Sequence, residues 1–210
     1  MSLRKQSREH GFTLLEVTVA SMILGTAVLA VGMLIMKMTN GSVLSKDTSS
    51  SAVLLSEKLE DLNRWDGDDP QICIPTGSTS IGSLTSDVTQ TTTCSGGASA
   101  GVDYFDSVYP NLVNGTSSCP GSADGCFAET VTSVSGGATT YTTTVHSPNG
   151  IVQTTSGTTP PNAGGTSFHR RWVIEGNTPT TGVRRVTVLV TLNNLAIQPP
   201  VTLQMSIVRP

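Results

Sequence analysis

Residues 8–36 read REHGFTLLEVTVASMILGTAVLAVGMLIM, and from residue 12 to residue 36 the only charged side chain is Glu16. As an α-helix, at about 1.5 Å per residue, this run is roughly 37 Å long, more than the roughly 30 Å apolar thickness of a bilayer. Arg4, Lys5 and Arg8 precede it. Positive flanks stay on the cytoplasmic side, so everything after Lys37 is expected outside. A secretory signal peptide has a shorter apolar core and a small-residue cleavage site, and neither fits here. A plain single-span anchor explains the length but not the acid. A carboxylate costs about 2.5–3.5 kcal/mol at the centre of a span and less near the interface, where Glu16 stands. Some partner must offset that cost.

The stretch Gly11-Phe12-Thr13-Leu14-Leu15-Glu16, behind a basic leader and ahead of an apolar span, resembles the processing motif of type IV prepilins. The resemblance implies that prepilin peptidase cuts after Gly11 on the cytoplasmic side and methylates the new N-terminus at Phe12. It also makes Glu16 the fifth mature residue, the acid that meets a neighbouring subunit's N-terminal amine during filament assembly. Electrostatics agrees with that role, because a carboxylate and an ammonium gain far more from each other away from water. The acid is then a register mark whose partner exists only after cleavage.

The span is followed by a second helical pattern. Past an interruption expected at Asn40-Gly41, Leu44, Thr48, Ala52, Leu55, Leu59 and Leu62 recur in steps of three or four and form one apolar stripe. Asp66-Gly67 and Pro70 end it. Within the span Gly25 and Gly32 permit either close helix packing or, by the prepilin resemblance, local melting. Beyond residue 70 the chain turns rich in Thr, Ser and Gly. Short strands are expected at 129–135 and 139–146, joined by a Gly136-Gly137 hairpin, while TTSGTTPPNAGGT, residues 154–166, reads as a low-complexity linker. Residues 168–175, 183–192 and 201–208 alternate as strands and predict an antiparallel meander. The helical stripe is the element available to cover its apolar face.

The fold expected is α+β: a long N-terminal α-helix, half transmembrane and half amphipathic, packed on a C-terminal antiparallel β-sheet in the pilin manner. The parts are a leader (1–11), a transmembrane and assembly helix (12–36), an amphipathic helix (37–66), a loop and hairpin region with disulfides (67–167) and the sheet (168–210). The pattern FHRRWVIEG at 168–176, VRRVTVLVTL at 183–192 and a last strand resembles the C-terminal half of PilV-type minor pilins, the type IV pilus modification proteins. That resemblance implies a minor pilin that primes or modifies pilus assembly, with roles in adhesion or motility. The alternative is a minor pseudopilin of a type II secretion system. Implied partners are major and minor pilin subunits, the prepilin peptidase and the inner membrane before assembly on the cell surface.

Cys73, Cys94, Cys119 and Cys126 all follow the span, in the part expected to be exported, where disulfides are allowed. Of three connectivities, Cys73–Cys94 with Cys119–Cys126 closes two short local loops. Other chemistry is sparse. Asp66, Asp68 and Asp69 lack the spacing of a calcium loop. His10, His146 and His169 are scattered, with no Ser or Cys nucleophile expected beside them. Arg170, Arg171, Arg184 and Arg185 read either as a cross-strand basic patch or as edge-strand charges that discourage aggregation. The formal charge of −3 offers no footprint for nucleic acid. No catalytic residue, cofactor or metal is assigned.

Overall fold

The computed structural model describes residues 13–94, 99–109, 126–147, 150–160, 166–193 and 200–210. The chain divides into two compact units, with the boundary between Lys46 and Asp47. Helix α1, Leu14–Arg64, runs without a break. The interruption expected at Asn40-Gly41 does not form. One glycine costs a helix about 1 kcal/mol relative to alanine, too little to stop a long cooperative ladder.

Within the second unit the last turns of α1 lie on a sheet. Ser51, Leu55, Leu59 and Leu62 are buried. The stripe is rotated slightly from the expected one: Ala52 is exposed, as is Leu44 in the first unit, and Ser51 takes the inward place. Ser51 tolerates burial because its hydroxyl donates to the Asp47 carbonyl at 2.9 Å. The helix ends before Asp66-Gly67, as expected. Arginines from the sheet hold the helix end and the residues just past it: Arg209 donates to Leu62 O and Trp65 O at 3.0 and 2.8 Å, and Arg184 to Gly67 O at 2.7 Å. Cations near a helix C-terminus also meet the negative end of its dipole.

Among the described residues ten strands follow: β1 (Ser80–Gly82), β2 (Thr89–Thr93), β3 (Ser99–Asp103), β4 (Phe105–Tyr109), β5 (Phe127–Ser135), β6 (Ala138–His146), β7 (Val152–Gly157), β8 (Ser167–Gly176), β9 (Arg184–Asn193) and β10 (Thr202–Arg209). Eight make one antiparallel sheet in the order β10-β9-β8-β4-β5-β6-β7, with β1 beside β8 at the end β4 leaves free. The pair β2 and β3 forms a separate ribbon. The meander β8-β9-β10 is as the alternation predicts, with Val186, Val188, Val190 and Leu192 buried against Leu55, Leu59 and Leu62. Gly136 and Gly137 turn the β5–β6 hairpin at φ 60° and 82°, the left-handed values its two-residue loop demands.

The antiparallel sheet extends beyond the C-terminal meander, because the expected β5–β6 hairpin joins it with β1, β4 and β7 from the Thr/Ser/Gly-rich region. The low-complexity linker expected from residue 154 is instead a strand through Gly157, since β6 supplies six register partners for β7. Threonine suits a pleated surface and makes cross-strand hydroxyl pairs, such as Thr144 with Thr154 at 3.1 Å and Thr142 with Ser156 at 3.2 Å. Residues 161–165 of that stretch lie outside the described residues.

Cys73 and Cys94 form a disulfide with a Cα–Cα distance of 6.0 Å, tying the segment after α1 to the end of β2. The other expected pair includes Cys119, which lies outside the described residues.

Candidate assembly site and the ion cluster beneath the helix

The first unit carries the residues the sequence marks for assembly. Thr13 caps α1: its carbonyl accepts from the Glu16 and Val17 amides at 3.0 and 3.2 Å, and its hydroxyl oxygen accepts from the Glu16 amide at 3.3 Å. Thr13-Leu14-Leu15-Glu16 is therefore a capping-box sequence, with the acid at the third helical position. A carboxylate there also meets the positive end of the helix dipole. The signal is readable in the sequence as Thr-x-x-Glu ahead of an apolar run, and it gives Glu16 a local role besides the one the prepilin resemblance implies. Gly11 and Phe12 lie outside the described residues.

The rest of the span is apolar and uncovered. None of its most hydrophobic window is buried by the chain itself; Leu14, Met22 and Leu24 are 83%, 77% and 67% exposed. Its hydroxyls are satisfied internally, Thr18 on Leu15 O, Ser21 on Val17 O and Thr26 on Ile23 O, all at 2.8–2.9 Å. Hydroxyls closed onto their own helix are compatible with lipid. Each large apolar side chain gains about 1.5–3 kcal/mol on leaving water, so this surface requires a bilayer, other helices, or each in turn. At Gly25 and Gly32 an added Cβ would meet nothing within 4 Å, which leaves both positions open to a neighbouring helix.

The second unit holds a buried ion cluster that the sequence reading did not anticipate. Asp106 and Arg170 are register partners on β4 and β8. Arg170 Nε donates to Asp106 Oδ1 at 2.6 Å and Nη2 to Oδ2 at 2.7 Å, and Nη2 also donates to Glu129 Oε1. Lys58 Nζ, from α1, lies 3.6 Å from Asp106 Oδ2 and 4.3 Å from the centre of the Trp172 ring. Burial by itself would push the Asp106 carboxyl up; the charges of Arg170 and then Lys58 outweigh it and hold the group below its ordinary value. Burial likewise works against the Arg170 cation, and Asp106 and then Glu129 reverse the shift upward. A cleft of about 250 Å³ opens on this cluster, lined by Glu57, Glu60, Asp61 and Arg64 of α1 with Glu129 and His146 below.

The four arginines are thus neither an open basic patch nor edge-strand charges. Arg170 is buried on a central strand, Arg184 donates to the Gly67 carbonyl just past the helix, Arg171 pairs with Asp87 at 2.7 Å and Arg185 with Glu175 at 2.7 Å. The alternation in FHRRWVIEG contained this answer, because Arg170 shares its face with Phe168, Trp172 and Ile174, all buried.

His169 also corrects the reading that no histidine pairs with a serine. Its Nδ1 lies 2.9 Å from Ser107 Oγ and its Nε2 2.7 Å from Asp87 Oδ1. Ser107 is a register partner of both His169 and Thr130, so β4 is bonded on both flanks. Those ladders occupy the backbone donors that an oxyanion site would need. The trio instead ties the segment before β2 to the sheet. Asp69 is similarly engaged, accepting from the Gln71 amide at 2.8 Å.

Residues 6–36 match the family model described as the prokaryotic N-terminal methylation motif. The chain carries the N-terminal methylation motif typical of type IV prepilin-like proteins. No curated protein and no solved structure matches the chain significantly. The motif belongs to structural, non-enzymatic pilin-like proteins and implies, in general, processing by prepilin peptidase and assembly with pilins. The α+β arrangement of the chain, helix on antiparallel sheet, is the pilin-like one.

Proposed function

We propose that the chain is a minor pilin, a low-copy structural subunit that primes or modifies type IV pilus assembly. The observation that carries the reading is Gly-Phe-Thr-Leu-Leu-Glu at the head of an apolar helix that its own chain leaves uncovered. Gly11 is the cleavage position, Phe12 the methylated N-terminus and Glu16 the carboxylate that receives a neighbour's new amine. At 4 Å such a pair is worth about 1 kcal/mol in water and about 4 kcal/mol at an effective dielectric of 20, so the same two groups select register only after leaving solvent. The resemblance of residues 168–192 to PilV-type proteins supports a pilus over a secretion pseudopilus.

N-terminal mass analysis of protein from sheared surface filaments of the native cell tests this. A peptide beginning at methylated Phe12 in the filament fraction is expected. Processed protein confined to membranes would replace the minor pilin with a minor pseudopilin of type II secretion. An uncleaved N-terminus would overturn both.

A further inference from the structure

Helix α1 starts on a cap. Thr13 is exposed and not helical, and Leu14 is the first helical residue. The Thr13 carbonyl accepts from the Val17 amide at 3.2 Å, and its hydroxyl accepts from the Glu16 amide at 3.3 Å. This is the N-cap arrangement, in which a side-chain oxygen supplies a partner that the first amides of a helix otherwise lack. The cap holds the helix to a start three positions past Gly11.

That start bears on the bond just upstream. Threonine and glycine rank alike as N-caps and apolar residues rank far below them, so a chain whose residue 13 cannot cap has Gly11 as its next capping position. A helix capped at Gly11 takes the Gly11 carbonyl as its first acceptor, bonded by the Leu15 amide four positions on. On the prepilin reading, on which this inference rests, that carbonyl is the one cleaved. Water adds its hydroxyl to the Gly11 carbonyl carbon, the Gly11–Phe12 C–N bond breaks, and the nitrogen takes the remaining proton and leaves as the Phe12 amine. A carbonyl bonded into a helical ladder is screened by the turn around it and has to be freed before attack.

We infer that Thr13 is a positioning residue for leader removal: its hydroxyl, by capping α1, keeps the Gly11 carbonyl out of the helix and open to the peptidase. Thr13 acts through the helix start and does not touch the reacting atoms. The role is separate from those that the resemblance gives Gly11, Phe12 and Glu16.

The test is the initial rate at which prepilin peptidase cleaves purified full-length precursor in detergent, read as the mass of the N-terminal peptide. Thr13→Val keeps the shape of the side chain and loses the hydroxyl, and Thr13→Ala also favours helix; each is expected to be cleaved about five- to tenfold more slowly. Thr13→Ser and Thr13→Asn retain a cap and are expected to stay within about twofold of the native rate. Asparagine differs from threonine in shape, so its rescue separates capping from direct recognition of the side chain by the enzyme. In the same micelles the Gly11 carbonyl-carbon chemical shift should move toward helical values in Thr13→Ala and stay in place in Thr13→Asn. A native cleavage rate for Thr13→Val overturns the inference, and so does a Thr13→Asn variant as slow as Thr13→Ala. A native precursor that the peptidase leaves intact overturns the prepilin reading together with it.

Discussion

Asp106 and Arg170 face each other directly across β4 and β8 and close a two-pronged ion pair at 2.6 and 2.7 Å beneath helix α1. Both side chains are almost wholly buried, at 6% and 1% exposure. Removing one member strands the other charge in the core, a loss of about 3–5 kcal/mol, whereas replacing both with apolar residues of similar volume costs far less. Arg170→Met and Asp106→Leu should each destabilise strongly and the double variant should recover much of the loss, as read by denaturant unfolding of the full chain in detergent. Additive losses would show that the two do not act as a pair.

The same pair sets an acid limit. The folded Asp106 carboxyl ionises below its ordinary value of 3.8. A depressed carboxyl contributes stability above the unfolded value and loses it as pH falls through the folded value. Stability of the native chain should therefore drop below about pH 4 more steeply than that of Asp106→Asn, measured as unfolding midpoints between pH 7 and pH 2. Parallel curves would remove Asp106 from the acid response.

Gly82 should tolerate no side chain. Its φ is 80°, and an added Cβ would collide with the Trp172 carbonyl and lie 2.9 Å from the Tyr104 ring. Gly82→Ala is expected to cost at least about 1–3 kcal/mol from strain alone, while Gly101→Ala, where a Cβ meets nothing within 4 Å, should be close to neutral. Thermal unfolding of the two variants side by side decides this.

The disulfide Cys73–Cys94 closes a separation of 21 residues, for which loop entropy gives about 3 kcal/mol. The double variant Cys73→Ser, Cys94→Ser should lose stability of that order under oxidising conditions. Under reducing conditions its deficit should vanish. Denaturant midpoints with and without reductant check both.

Glu16→Ala should enter the membrane and be cleaved normally yet be depleted from filaments. A bulky replacement at Gly11 should instead leave full-length precursor. Immunoblots of membrane and sheared fractions separate the two, and normal incorporation of Glu16→Ala would remove the pairing role.

The sequence by itself determined the elements whose signals are local. The apolar run after Gly11 is a feature of composition, and the steps of Leu55, Leu59 and Leu62 and the alternation at 168–175 and 183–192 are periodicities of 3.6 and 2; a short window carries each. Cys73–Cys94 was legible for a similar reason, since a short loop limits the alternatives. Beyond the β5–β6 hairpin and the β8-β9-β10 meander, tertiary structure alone decided which strand lies beside which. The register that places Asp106 opposite Arg170 joins residues separated by 64 positions, and no local pattern encodes a partner so distant. It also turned the threonines at 154 and 155 into an edge strand, because a weakly apolar segment becomes a strand only when a neighbour such as β6 supplies the hydrogen bonds its backbone would otherwise leave to water.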